Sequence, residues 1–175
     1  AATRGVLFRD AAAIENLRKV DTLIVDKTGT LTEGKPRFDR VVAAAGYTDD
    51  EVLRLAASLD QGSEHPLADA IVKGARERGL ALVKAEGFES STGIGVRGTV
   101  EGKKLALGNM ALMAQERVAT DALQVQGEAL REEGASVMML AIDGKAAGLL
   151  AVSDPIKSST AEALAALKAA GVRVI

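Results

Sequence analysis

The chain has 175 residues, 47% hydrophobic and 26% charged, which excludes wholesale disorder and allows one ordinary domain, or one domain with part of another. Lys+Arg 22 against Asp+Glu 24 gives a net charge of -2, no electrostatic footprint for nucleic acid or an anionic membrane surface. Zero cysteines and a single histidine, His65, exclude disulfides, thiol catalysis and a multi-histidine metal site, and no apolar run approaches the roughly 20 residues that cross a bilayer.

Asp10–Leu17 is expected to form a short helix with Ala11, Ile14 and Leu17 on one face. Val20–Asp26 is an apolar run ending in a carboxylate, the pattern of a strand buried on both faces in a parallel sheet. Lys27–Thr32 and Glu33–Pro36 follow as a loop with turn chemistry. Thr48-Asp49-Asp50-Glu51 is a capping box in which the Thr48 hydroxyl accepts an orphan N–H and Glu51 reaches back, opening a helix with Val52, Leu55, Ala56 and Leu59 inward. Pro66 suits the first position of a second helix, which carries Ala70, Ile71 and Ala75 and exits at Gly79. Gly87–Leu107 shifts to short strands with a Glu101-Gly102 turn. Ala122–Glu133 is helical, and Asp143-Gly144 joins Ser136–Ile142 to Ala146–Val152 as a hairpin. Ser158–Ala170 has Ala161, Leu164, Ala165 and Leu167 at helical spacing and ends at Gly171. Val172–Ile175 begins a strand, so the chain is expected to be part of a longer one.

Asp26 stands where the carboxyl end of a parallel strand meets the ligand crevice of an open α/β sheet. The loop after it offers N–H groups and hydroxyls suited to a phosphoryl group. A carboxylate is already ionised at neutral pH and needs no base to act as a nucleophile. Its repulsion from a phosphate calls for Mg²⁺ or a lysine. Further on, Glu64, His65 and the following helix N-terminus place an acceptor, a switchable donor and exposed N–H groups side by side, an arrangement able to hold a purine edge. The Gly93–Gly98 stretch spells G-x-G-x-x-G, but strand follows it rather than helix, so a dinucleotide fold is rejected.

Asp26-Lys27-Thr28-Gly29-Thr30-Leu31-Thr32 resembles the phosphorylation signature of the P-type ATPases, transporters with a haloacid-dehalogenase-like phosphorylation domain. The resemblance implies that Asp26 becomes an aspartyl-phosphate, that Lys27, Thr28, Gly29 and Thr30 form the phosphate loop, and that Asp26 with the Thr28 main-chain carbonyl holds Mg²⁺. Ser63-Glu64-His65-Pro66-Leu67 looks like the nucleotide-recognition motif of the heavy-metal subgroup, in which the Glu and His contact adenine. Gly93, Gly95 and the pair Gly108-Asn109 align with glycine and Gly-Asn motifs lining the same pocket. Lys73-Gly74-Ala75 spells a nucleotide motif of the ion-pumping relatives, but it falls inside a helix and reads as a solvated lysine. Those relatives stack adenine on a Phe, and 2% aromatics (Phe8, Phe38, Tyr47 and Phe88) argues against that mode here. Asp154-Pro155 resembles a hinge, and Gly5–Asp10 the stalk that follows a membrane segment.

The fold implied is α/β (α+β): an antiparallel-sheet nucleotide-binding domain with flanking helices, residues 37–150, inserted into an incomplete parallel-sheet phosphorylation domain, residues 1–36 and 151–175. The function implied is that of a heavy-metal exporter, copper(I) by family likeness, with ATP and Mg²⁺ as cofactors. Its partners are the membrane and actuator domains of its own full-length chain, with no nucleic acid and no insertion of this part into the membrane. The chain is a cytoplasmic domain of an integral membrane protein on this reading, and alone it binds ATP without turnover, because a Mg²⁺ carboxylate and a lysine of the family lie beyond Ile175. A soluble haloacid-dehalogenase-type phosphatase is the alternative.

Overall fold

The computed structural model describes residues 10–175; the stalk-like Gly5–Arg9 and the Ala11 and Ile14 side chains lie outside the description. The chain forms two compact units, one of them Lys35–Pro155 and the other built from the segments on either side of it.

Lys35–Pro155 is organised on an antiparallel sheet of six strands in the order β2-β7-β6-β5-β4-β3. The strands are β2 (Arg37–Ala43), β3 (Glu86–Ser91), β4 (Gly95–Val100), β5 (Lys103–Gly108), β6 (Ser136–Ile142) and β7 (Lys145–Ser153). Successive side chains leave opposite faces of a strand, so each central strand feeds two cores. Leu105, Leu107, Leu140 and Leu150 meet the helices α2 (Asp49–Asp60) and α3 (Pro66–Glu77). Ala106, Met139, Ala141 and Leu149 meet α4 (Met110–Gln115) and α5 (Asp121–Glu132) on the other side.

Local signals account for most element ends. Thr48 Oγ1 accepts from Glu51 N–H at 3.2 Å, and Val52, Leu55, Ala56 and Leu59 of α2 are fully buried. The reciprocal half of the capping box does not form: Glu51 Oε1 accepts instead from Lys103 Nζ at 2.9 Å, a cation brought over by the β4–β5 hairpin. Glu101-Gly102 and Asp143-Gly144 turn those hairpins with positive φ at both residues, 52° and 76° in the first and 47° and 77° in the second, the geometry that matches strand twist. Lys73 pairs with Glu77 at 3.8 Å on the exposed side of α3, while a Cβ on Gly74 would sit 2.6 Å from the Phe38 side chain, so this glycine serves helix–strand packing. β7 pairs with β2 out to Ser153↔Arg37, carrying the sheet past the Leu150 boundary expected from sequence.

The other unit contains α1 (Ala11–Leu17), β1 (Thr22–Leu23), the Asp26–Thr32 loop, α6 (Thr160–Ala169) and β8 (Arg173–Val174). β1 and β8 pair in parallel, with Thr22 opposite Arg173 and Leu23 opposite Val174. The parallel partner is as expected; burial on both faces is not. Ile24 is 81% exposed and Val20 39%, because among the described residues the sheet has two strands and its one packed helix, α6, lies against β8. For the same reason Leu164 and Leu167 of α6 are only half-buried, and Ala161 and Ala165 are exposed.

Candidate functional site

A cavity of about 760 Å³ opens in the Lys35–Pro155 unit, between the start of α3, the β3–β4 turn and the end of β5. His65 caps α3: its Nδ1 accepts from Leu67 N–H at 3.2 Å, which leaves Nε2 to carry the proton of the neutral ring. Ser63 Oγ accepts from His65 N–H at 3.2 Å and fixes the approach to the helix. Glu64 and His65 are exposed and both line the cavity. Gly93, Gly95, Gly108 and Asn109 line it as well, so all six residues expected to bind nucleotide line the same cavity.

Asn109 organises the side of the cavity formed by the β3–β4 turn and the end of β5. Its Oδ1 accepts from Ala111 and Leu112 N–H at 3.0 and 3.2 Å to cap α4, while its Nδ2 donates to the Gly93 carbonyl at 2.8 Å. The glycines divide into two kinds. Gly93, at φ +72°, would put a Cβ into open space, with nothing within 4 Å. Gly95 and Gly108 face each other's backbone, and a Cβ on Gly95 would lie 2.3 Å from the Leu107 oxygen and 2.6 Å from Gly108 Cα. Gly95→Ala is therefore expected to cost about 3 kcal/mol of stability through forced backbone shifts. Urea unfolding with a wild-type midpoint would contradict this.

Phe88 and Asp60 are among the cavity residues that escaped the sequence reading. Phe88 lines the cavity and packs on Gly62, where a Cβ would sit 2.9 Å from its ring. Asp60 ends α2, is 4% exposed, and its Oδ2 has no hydrogen-bond partner. Burial pushes its carboxyl up to about 7. A signal was present: Val52, Ala56 and Asp60 recur at four-residue spacing, so the buried stripe of α2 ends in a carboxylate.

The Asp26–Thr32 loop lies in the other unit. Lys27–Leu31 forms a single wide turn, broken by an extended Thr28 (φ -74°, ψ 125°) and by Gly29 at φ +76°. Thr32, 1% exposed, holds it together: its Oγ1 accepts from Gly29 N–H at 3.0 Å and donates to the Lys27 carbonyl at 3.3 Å. Asp26 precedes the turn, is exposed, and makes no capping bond with its side chain. Asp154 Oδ1 accepts from Lys35 N–H at 3.0 Å, tying the two ends of the Lys35–Pro155 unit side by side.

Among the described residues no group of three or more His, Cys, Asp or Glu could hold a metal ion. The oxygens at the loop, the Asp26 carboxylate and the Thr28 carbonyl, are hard donors that fit Mg²⁺, which commonly uses one or two carboxylates together with waters and substrate phosphates.

The family model of the haloacid dehalogenase-like hydrolases matches residues 20–175, and the chain belongs to that family. It is similar to the copper-transporting P-type ATPase of Rhizobium leguminosarum bv. viciae, 52% identical over 174 residues that cover 99% of this chain and 21% of the relative. A solved zinc-transporting PIB-type ATPase in the E2.Pi state matches with a TM-score of 0.81 at 34% identity, over 100% of this chain and 28% of that one. The N-domain of HMA6, a copper-transporting P-type ATPase, matches with a TM-score of 0.56 at 26% identity, over 68% of this chain and 99% of that domain. The chain thus spans about a fifth of the length of the curated relative. The P-type ATPase resemblance carried by Asp26–Thr32 and Ser63–Leu67 agrees with these matches. Among the described residues no helix is long and apolar enough to cross a membrane.

Proposed function

We propose that this chain is the ATP-binding and phosphorylation region of a heavy-metal-exporting P-type ATPase, facing the cytoplasm, with copper(I) as the exported ion. The observation that carries the reading is the single cavity that Glu64, His65, Gly93, Gly95, Gly108 and Asn109 all line. The choice of copper rests on the likeness to the 52% identical copper-transporting relative.

In this reading residues 37–150 bind the nucleotide and the flanking segments form the phosphorylation domain. The apolar cavity takes the purine, Glu64 accepts hydrogen bonds from its edge, and His65 Nε2–H donates to it. Asp60, buried with an unmatched Oδ2, is a further polar group for the base. Gly93, open on the cavity side, lets the nucleotide approach main chain. The Asp26 carboxylate attacks the γ-phosphorus: the bond from its oxygen to phosphorus forms, the γ-phosphorus to bridging-oxygen bond breaks, and ADP leaves. Water later hydrolyses the aspartyl-phosphate. Mg²⁺ bound at the Asp26 carboxylate and the Thr28 carbonyl would supply charge neutralisation between carboxylate and phosphate. Asp154 and Pro155 serve as the hinge. The membrane and actuator domains of the full-length protein are its partners, and the chain on its own binds ATP without turnover.

Calorimetric titration of the chain with ATP, ADP and GTP tests the reading. Adenine-selective binding is expected. His65→Ala and His65→Asn should each weaken ATP binding by about 1–2 kcal/mol, the scale of a lost hydrogen bond with its partner left unpaired. The two variants separate roles, because Asn restores the helix cap whereas Ala also costs about 1 kcal/mol of stability. Wild-type affinity in the Asn variant would make His65 a cap only. A folded chain that binds no nucleotide would remove the cavity from the reading and favour a phosphatase-like relative.

A further inference from the structure

The residues that follow the Asp154-Pro155 pair grip the phosphate loop at several points. Ile156 forms an antiparallel bridge with Thr32. Lys157 N–H donates to the Leu31 carbonyl at 3.0 Å, and the Thr160 hydroxyl, 7% exposed, donates to the same carbonyl at 2.7 Å. One contact is of another kind: Lys157 Nζ donates to the Gly29 carbonyl at 2.7 Å, in the middle of the loop. It is a charge-assisted bond to main chain, the stronger class of hydrogen bond.

The consequence follows from peptide geometry. In a trans peptide unit the N–H and C=O point opposite ways, and no described peptide is cis. Thr32 Oγ1 holds the Gly29 N–H, so the Thr28 carbonyl of that unit is turned away from Thr32. Lys157 Nζ holds the Gly29 carbonyl, so the Thr30 N–H of the next unit is turned away from Lys157. Two successive peptide units are thereby locked, one by a hydroxyl and one by an ammonium. Gly29, at φ +76° with open space where a Cβ would be, could otherwise rotate with little steric resistance.

We infer that Lys157 is a positioning residue for phosphoryl transfer: it fixes the Gly29–Thr30 peptide so that the Thr30 N–H is presented to the incoming phosphoryl oxygens. The inference rests on the reading of Asp26–Thr32 as the phosphoryl-accepting loop. The main-chain half of the grip, Lys157 N–H on Leu31 and the Ile156 bridge, survives any change of side chain. A Lys157→Met variant therefore removes the ammonium and keeps the attachment.

The test uses the full-length protein with radiolabelled ATP and Mg²⁺, following acid-stable label over time and as a function of ATP concentration. Lys157→Met should slow phosphorylation at saturating ATP by about tenfold or more, the scale of a small misplacement of reacting groups, with half-saturation by ATP within about twofold of wild type. Lys157→Arg, which restores a cationic donor, should return the rate to within about threefold. A Lys157→Met rate within about twofold of wild type would overturn the inference. So would an Arg variant as slow as Met, or a Met variant that fails to fold or loses rate, ATP affinity and thermal stability together, since each of these assigns a merely structural lysine. A wild-type protein that binds ATP and never forms an acyl-phosphate is a different result, which removes the phosphoryl-accepting reading itself.

Discussion

Asp26→Asn in the full-length protein is expected to abolish the hydroxylamine-labile phosphoenzyme completely while leaving ATP affinity within about twofold of wild type. The amide is nearly the size of the carboxylate but lacks the anionic oxygen that attacks phosphorus. The fold has little to lose, because the Asp26 side chain is exposed and makes no cap bond to the turn it precedes. Thr32 and Lys157, which shape the loop, are untouched by the change. The proposed nucleotide contacts, Glu64 and His65, belong to the other compact unit. Acid-quenched label and a parallel ATP titration check both halves. Label persisting at the wild-type level in the Asn variant would move the acceptor to another residue.

Stability against pH should carry the second large effect. Asp60 rises from an ordinary 3.8 to about 7 in the folded chain because burial disfavours its charge. Between those values the folded state holds a proton that the unfolded state has released, so stability falls as pH rises through this window and levels off above it. The full loss is on the order of 4 kcal/mol, taking about 1.4 kcal/mol for each unit. Glu101 works in the opposite sense and at lower pH: the hydrogen bond from Arg54 lowers its pKa from 4.5, so its contribution is lost as acid is added below that value. Urea unfolding between about pH 4 and 8 should therefore show a decline in the wild type that Asp60→Asn lacks. An equal decline in both proteins would place the titrating group elsewhere.

How far the sequence could be read depended on how local each cause is. Thr48, Pro66, Gly79 and the Asp-Gly turn at residue 143 act within a few residues of themselves, and the elements they bound appear where they were expected. The helix α4 was passed over although Asn109, its cap, stood in view; six residues carry little periodicity. The edge strand β2 was passed over as well, since Arg37, Asp39 and Arg40 interrupt its apolar pattern. Glu51 was misread because the lysine that claims it comes from 52 positions away. Val20–Asp26 was read as doubly buried, which is a property of its neighbours rather than of the run itself.

At the candidate site the motif residues were legible and their physical reasons were not. Gly95 and Gly108 were expected to line a nucleotide pocket, and the nearest contacts that forbid a Cβ are main-chain oxygens, that of Leu107 at Gly95 and that of Ile94 at Gly108. Asp60 carries no motif, and its burial depends on α3 and the sheet closing over the end of α2. Lys157 lies just past the Asp154-Pro155 pair read as a hinge, and nothing local to it announces its reach to Gly29 across 128 positions.

That span bears on how the chain assembles. Thr32 and Ile156 bridge across the whole of the Lys35–Pro155 unit, which as a floppy loop would impose a heavy closure entropy on the parallel pair of β1 and β8. The pairing of β2 with β7 and the Lys35–Asp154 bond change the count. Once that sheet has formed, Lys35 and Asp154 are side by side, and the segments before and after the Lys35–Pro155 unit meet as though separated by a short hairpin. Closure of the β1–β8 pair is therefore a high-contact-order event while the Lys35–Pro155 unit is open, and a nearly local one once its ends are paired.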